Sequence, residues 1–164
     1  KRCPELQNLS REHHTALRLA LQWRRAAESG DDQAIVAASA HAREAFDAEL
    51  LPHFREEEIY LLPRLEAVGA SAVVARTLIE HRALQRLVRE LEIPDGEVLL
   101  RFADLLTAHV RFEERELFED AERLLGREIL ARVLRHESIA ADSSAAQPHF
   151  NAKFVRTHHI VALQ

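Results

Sequence analysis

The segment His53–Glu57 reads H-F-R-E-E, and the same spacing recurs in His109–Glu113, which reads H-V-R-F-E. In both segments a histidine is followed four residues later by a glutamate. Four residues are slightly more than one turn of an α-helix, so both side chains of a pair lie on one face. Each pair can direct an imidazole nitrogen and a carboxylate into the same small volume. Two such pairs on facing helices would suit a metal site.

The composition favours a helical protein. The chain has 164 residues, of which 47% are hydrophobic, with only four Gly and five Pro. Its apolar residues are mostly Leu and Ala, which are good helix formers. This length fits one domain whose core needs no disulfide.

The same numbers argue against several classes of partner. The formal net charge of −5 provides no basic surface for nucleic acid. No apolar run approaches the ~18 residues of a membrane span, so we expect no membrane partner. The lone Cys3 cannot form an internal disulfide, and there is no secretory hydrophobic segment. These features predict a cytoplasmic location.

Apolar residues at helical spacing predict four long helices. They are expected at about residues 5–28, 32–68, 71–91 and 97–125, with a short fifth helix near 129–134. Short connections make neighbouring helices antiparallel, which gives an all-α, up-down-up-down four-helix bundle. Pro52 and Pro63 lie inside the second helix and should bend or break it. We expect residues 1–126 to form the bundle and residues 127–164 to form a C-terminal helix and a tail that begins near Ser138.

The turn positions predict which histidines lie at the same level of the bundle. His53 lies 16 residues before Gly69 and His81 lies 12 after it. His81 lies 14 residues before Asp95, and His109 lies 14 after it. At ~1.5 Å of rise per residue, these three histidines should meet within about one turn.

The first helix offers two adjacent histidines. His13 and His14 precede Gly30 by 17 and 16 residues, against 23 from Gly30 to His53. That mismatch requires a longer first connection or a bend at Pro52. The spacing of the leucines that precede the pair favours His13. The residues that follow the pair favour His14, because they match the residues that follow His81. The apolar face of the whole helix lies closer to His13, which we prefer while keeping His14 as a candidate.

These residues form a candidate metal site. Its members are His13 or His14, His53, Glu57, His81, His109 and Glu113. Imidazole and carboxylate donors suit iron, manganese or zinc, and two carboxylates that can bridge favour a pair of ions. Buried carboxylates are costly unless paired or metal-bound. Glu56 is an alternative to Glu57, whereas Glu114 lies about 140° around the helix from His109 and is expected to be solvated.

Over about residues 5–125 the sequence resembles the hemerythrin-like family, also called HHE cation-binding domains. The motifs are R-E-H-H at 11–14, H-F-R-E-E-E-I-Y-L-L-P at 53–63, E-H-R-A-L at 80–84 and H-V-R-F-E-E-R-E-L-F at 109–118. The resemblance implies a bundle that holds two iron ions. One histidine from each helix would be a terminal ligand, and Glu57 and Glu113 would bridge the ions.

One position departs from the oxygen-carrying members of that family, which have a second histidine one turn from the third-helix ligand. Here Thr77 and Gln85 lie four residues before and after His81. The site would lack one imidazole unless the adjacent first-helix histidines or another carboxylate compensate. The resemblance therefore implies iron binding more directly than O₂ transport.

We accordingly expect a non-haem di-iron protein that binds or senses O₂ or another small diatomic, or that handles iron. Zinc or manganese are alternative metals. A di-iron enzyme that activates O₂, peroxide or nitric oxide is the competing hypothesis, although no residue is assigned a catalytic role. A third hypothesis is an all-α interaction protein whose histidines and glutamates are solvated. The sequence identifies no protein partner.

Overall fold

Four long helices and one short helix build the described part of the chain, residues 6–134 of a computed structural model, and no strand occurs in it. The first long helix is α1 (Gln7–Ser29), and the third is α5 (Ser71–Glu90). The second consists of α2 (Asp32–Ala45), π1 (Phe46–Leu50), α3 (Leu51–Glu56), π2 (Glu57–Leu61) and α4 (Leu62–Ala67). The fourth consists of α6 (Gly96–Phe112), π3 (Glu113–Leu117) and α7 (Phe118–Leu124), and the short helix is α8 (Gly126–Leu134). The predicted all-α bundle is confirmed, while the predicted tail from about Ser138 lies outside the described residues.

Short connections join the long helices. Gly30 and Gly69 follow the first and second helices with φ values of 68° and 87°, a left-handed conformation that glycine adopts without steric cost. Asp31 and Asp95 cap the next N-termini, because each carboxylate accepts backbone N–H groups of the first helical turn. Only two residues separate α1 from α2. The prediction of a longer first connection, one of the two explanations for the mismatch in residue counts, is therefore wrong.

Three wide turns interrupt the α-helical hydrogen bonding of the second and fourth long helices. At the end of each, a backbone N–H bonds to the carbonyl five residues earlier, as in a π-helix. Pro52 and Pro63 are each the second residue of the α-helical segment that follows such a turn, where a missing N–H is tolerated. The second helix is thus widened next to both prolines. Glu57 and Glu113 are the first residues of π2 and π3.

Two apolar cores pack the helices together. The first core contains Ala16, Leu19, Ala20, Trp23, Ala42, Ala45, Phe46, Leu50, Phe54, Leu84, Leu87, Val88, Leu91, Leu99, Phe102, Ala103, Leu106 and Val110. The second core contains Leu6, Leu9, Leu61, Leu62, Leu65, Val74, Leu117, Phe118, Ala121, Leu125 and Leu130. Leu130 belongs to α8, so this short helix packs on the bundle.

Buried polar side chains occupy the level between the two cores. In α1, His13 lies between Leu9 of the second core and Ala16 of the first. In the fourth helix, Glu113 likewise lies between Val110 and Leu117. The bundle therefore carries a polar layer at its middle, with apolar packing above and below.

Candidate metal centre

Six side chains from four helices converge in the polar layer. They are His13, His53, Glu57, His81, His109 and Glu113, and each is at most 6% exposed. Two aromatic rings stack on two of the imidazoles. Phe54 stacks on His81 with ring centroids 3.9 Å apart, and Phe118 stacks on His13 at 5.1 Å.

One half of the cluster combines the first and second helices. His13 Nε2 lies 3.1 Å from His53 Nε2 and 3.1 Å from Glu113 Oε2. His53 Nε2 lies 3.5 Å from Glu57 Oε1. Donor atoms from these four residues all lie within 4.8 Å of one another, close enough to hold one ion together.

The other half combines the third and fourth helices. His109 Nε2 lies 3.1 Å from Glu113 Oε1, and His81 Nε2 lies 3.7 Å from the same oxygen. His81 Nε2 also lies 3.4 Å from Glu57 Oε2. Each glutamate thus presents one oxygen to each half of the cluster, which is the arrangement needed to bridge two ions.

Hydrogen bonds at Nδ1 direct the Nε2 atom of each central imidazole inward. Each of the four Nδ1 atoms hydrogen-bonds to a glutamate outside the central six, at 2.7–2.9 Å. An ionised carboxylate only accepts, so each Nδ1 carries a proton, and each Nε2 faces the centre, where it can offer a lone pair to a metal ion once the imidazole is neutral.

Several of these inward-facing atoms lack a hydrogen-bond partner among the described residues. They are both carboxylate oxygens of Glu57, both of Glu113, and Nε2 of His81 and His109. With a neutral imidazole, Nε2 of His109 and Oε1 of Glu113, which lie 3.1 Å apart, would be two acceptors with no donor between them. Buried unpaired acceptors are costly. A bound cation would satisfy them, so the donor set fits a metal.

The pKa values of the central residues also shift in the direction that favours positive charge in the cluster. Burial by itself would lower the pKa of His81, but the Glu113 and Glu57 carboxylates outweigh it and raise that pKa to about 10. Burial by itself would raise the pKa of Glu113, but the facing imidazoles, His109 foremost, hold that pKa well below its ordinary value. Protons and metal ions would therefore compete for one cluster.

The glutamates that hold the Nδ1 atoms are the part of the site that sequence reasoning missed. Glu114 bonds to His13, Glu12 to His53, Glu58 to His81, and Glu80 to His109. We call these four the outer glutamates. The expectation that Glu114 is solvated is wrong, because its carboxylate lies 2.8 Å from an imidazole nitrogen and its side chain is 29% exposed. One feature of the sequence could have identified them: each outer glutamate is adjacent in sequence to a central residue.

The structure separates the two first-helix histidines. His13 is buried in the cluster, whereas His14 is exposed and lies outside both groups of converging donors. At the two positions one turn from His81, Thr77 is buried and donates its hydroxyl to the Val73 carbonyl at 2.9 Å, and Gln85 borders a separate surface cavity.

A cavity of about 280 Å³ leads to the cluster. It borders four central residues: His13, His53, His109 and Glu113. Its apolar walls include Ala16, Leu50, Phe54, Leu106 and Val110, and its exposed rim includes Glu12, Ala48, Glu49 and Pro52. A small molecule can thus reach the centre along a largely apolar path.

The fold and the site together define a helical bundle whose buried His/Glu cluster could hold a metal. The model of the hemerythrin HHE cation binding domain matches residues 5–121, and the chain belongs to that family. Comparisons with curated proteins and with solved structures gave no match. Within residues 6–134, no helix is long and apolar enough to cross a membrane.

Proposed function

We propose that this chain is a non-haem di-iron protein that binds or senses O₂ or another small diatomic, or that handles iron. The observation that carries the proposal is the division of the cluster into two halves, each with two imidazoles and one oxygen from each of Glu57 and Glu113. His13 and His53 would hold one ion and His81 and His109 the other, with Glu57 and Glu113 each directing one oxygen to each half. Bound iron would supply reversible electron exchange with a small ligand.

The donor chemistry supports iron, with manganese or zinc as alternatives. Four imidazoles and two carboxylates are borderline to hard donors, which suit these ions and not copper(I), whose preferred ligands contain sulfur. Four residues converge in the first half, and three, His81, His109 and Glu113, converge in the second, which would leave coordination positions for a small ligand. The apolar cavity beside His13, His53 and His109 gives that ligand a route.

Freshly purified protein provides the direct test. Elemental analysis should find about two iron ions per chain, and the optical spectrum should change on exposure to O₂ and return on deoxygenation. Metal-free protein whose melting temperature does not respond to added iron, manganese or zinc would overturn the proposal.

A di-iron enzyme is the second candidate, and the third helix favours it. Because Thr77 and Gln85 flank His81 where an oxygen carrier has another histidine, more coordination positions are left to exogenous molecules. Open positions are what metal catalysis requires. Continuous consumption of peroxide, O₂ or nitric oxide by iron-loaded protein would support the enzyme, whereas stoichiometric reversible binding would support the binding protein.

We also propose a cytoplasmic location, because the sequence has a single cysteine and therefore no internal disulfide.

A further inference from the structure

The outer glutamates follow a strict order around the bundle. Glu12 of the first helix bonds to His53 of the second, at 2.7 Å. Glu58 of the second helix bonds to His81 of the third at 2.8 Å. Each helix therefore supplies a carboxylate to the central histidine of the next helix.

The remaining two contacts close the circle. Glu80 of the third helix bonds to His109 of the fourth at 2.9 Å, and Glu114 of the fourth bonds to His13 of the first at 2.8 Å. The four hydrogen bonds thus form one closed ring that joins every pair of neighbouring helices around the centre.

Helix geometry explains why the ring runs in one direction. Adjacent residues are separated by about 100° around a helix, so a neighbour of an inward-facing residue is directed toward an adjoining helix. In the first and third helices the outer glutamate precedes the central histidine, as Glu12 precedes His13. In the second and fourth it follows the central glutamate, as Glu58 follows Glu57. Neighbouring helices run in opposite directions, and the outer glutamate changes from the residue before the central one to the residue after it. These two reversals cancel, so all four outer glutamates point the same way around the antiparallel bundle.

Two members of the ring are themselves held by further residues. Ser10 Oγ donates to Glu114 Oε1 at 2.8 Å. Arg76 Nε donates to Glu80 Oε1 at 2.8 Å while the other oxygen of Glu80 contacts His109. These two carboxylates are therefore held before any ion binds, which reduces the ordering cost of assembling the site.

We propose that Glu12, Glu58, Glu80 and Glu114 are positioning residues of the metal centre, and that they act in two pairs, one pair for each ion. The inference rests on the proposed di-metal function. Glu12 and Glu114 fix His53 and His13 and so control the first half. The other pair fixes the two histidines of the second half. A carboxylate on Nδ1 orients the imidazole and makes its Nε2 a stronger donor, and loss of such a partner typically weakens metal binding by about 10- to 100-fold.

Paired double substitutions test this division with cobalt(II) as the probe. Glu12→Ala with Glu114→Ala should leave one ion bound as in the wild type and weaken the other by about 10-fold or more in a chelator titration. The double substitution of Glu58 and Glu80 should give the same pattern. Glu12→Ala with Glu58→Ala should instead weaken both ions, although it removes the same number of carboxylates. Glu44→Ala with Glu119→Ala, two exposed glutamates, should bind both ions normally.

A spectroscopic measurement identifies which histidine each glutamate holds. Cobalt(II) shifts the imidazole N–H signals in proton NMR, so each Glu→Ala substitution should broaden the exchangeable signal of its own partner histidine and spare the other three. If an alanine double fails to fold, the matching Glu→Gln double, which retains an acceptor, should show the same division with a smaller loss. Wild-type protein that binds no ion would overturn the proposed function itself. Two ions bound by the wild type, with equal weakening in all three outer doubles or with none, would overturn only the ring.

Discussion

At the scale of single residues, Glu57 and Glu113 differ from every histidine of the centre because their two oxygens face different halves. Glu113 Oε2 approaches His13, whereas its Oε1 approaches His109 and His81. Removing one imidazole takes a donor from one half. Removing either glutamate takes a donor from both halves and leaves the opposing imidazoles facing each other.

We therefore expect Glu113→Ala and Glu57→Ala to abolish binding of both ions, a larger loss than the about 10- to 100-fold expected for an outer glutamate. The measurement is metal content per chain after dialysis. Glu119→Ala is the control, because this exposed glutamate lies on the same long helix as Glu113. Retention of two ions by either alanine variant would show that the bridging assignment is wrong.

At the scale of elements, apolar periodicity was enough to predict four long helices. The short connections predicted their antiparallel order, and the turn positions predicted the level at which His53, His81 and His109 meet. Apolar periodicity could not predict the wide turns. A backbone hydrogen bond that spans five residues in place of four moves the apolar pattern by only one residue. Periodicity also missed the outer glutamates, because a charged residue next to a ligand has the same sequence signature as a solvated one. Their role depends on the neighbouring helix, which periodicity within one helix does not report.

The short helix α8 gives an independent prediction about packing. Leu130 is fully buried in the second core, whereas its neighbour Ile129 is 41% exposed. Leu130→Ala should lower the free energy of unfolding by about 2–5 kcal/mol, and Ile129→Ala should cost much less. Urea unfolding followed by circular dichroism measures both. Equal costs would mean that α8 does not pack on the bundle as described.

The wide turn π1 carries the rim of the cavity, and this gives a prediction about access. Ala48 is exposed at that rim. Ala48→Trp should slow the binding of a small anion such as azide to the iron-loaded centre several-fold without changing metal content. The comparison is Ala40→Trp, an exposed position on α2 away from the cavity lining. Unchanged azide binding rates in Ala48→Trp would show that ligands enter by another route, as measured by stopped-flow absorption.

At the scale of the whole molecule, the polar layer divides the bundle into two apolar cores. Such a layer contributes little hydrophobic stabilisation, and without a cation it contains buried acceptors that lack partners. We therefore expect metal binding to be coupled to folding, because the folded chain presents a preformed site that the unfolded chain lacks.

This coupling predicts a metal-dependent melting temperature. Each site should contribute about 2.7 kcal/mol to the free energy of unfolding when free metal is 100 times its dissociation constant. Differential scanning calorimetry of metal-loaded protein before and after chelation measures the effect, with Glu113→Ala as the variant that should no longer respond. A wild-type protein that binds two ions yet melts at the same temperature without them would contradict the coupling.

The position of the polar layer also determines where the molecule would open first. Helical proteins usually fray at their ends, but here both ends are closed by leucine-rich packing and the least satisfied groups lie at mid-height. Stripped of metal, the bundle should exchange its amide hydrogens fastest around π2 and π3, while the amides beside Leu99 and Leu65 remain protected. The metal-free bundle would therefore open first at the polar layer in its middle.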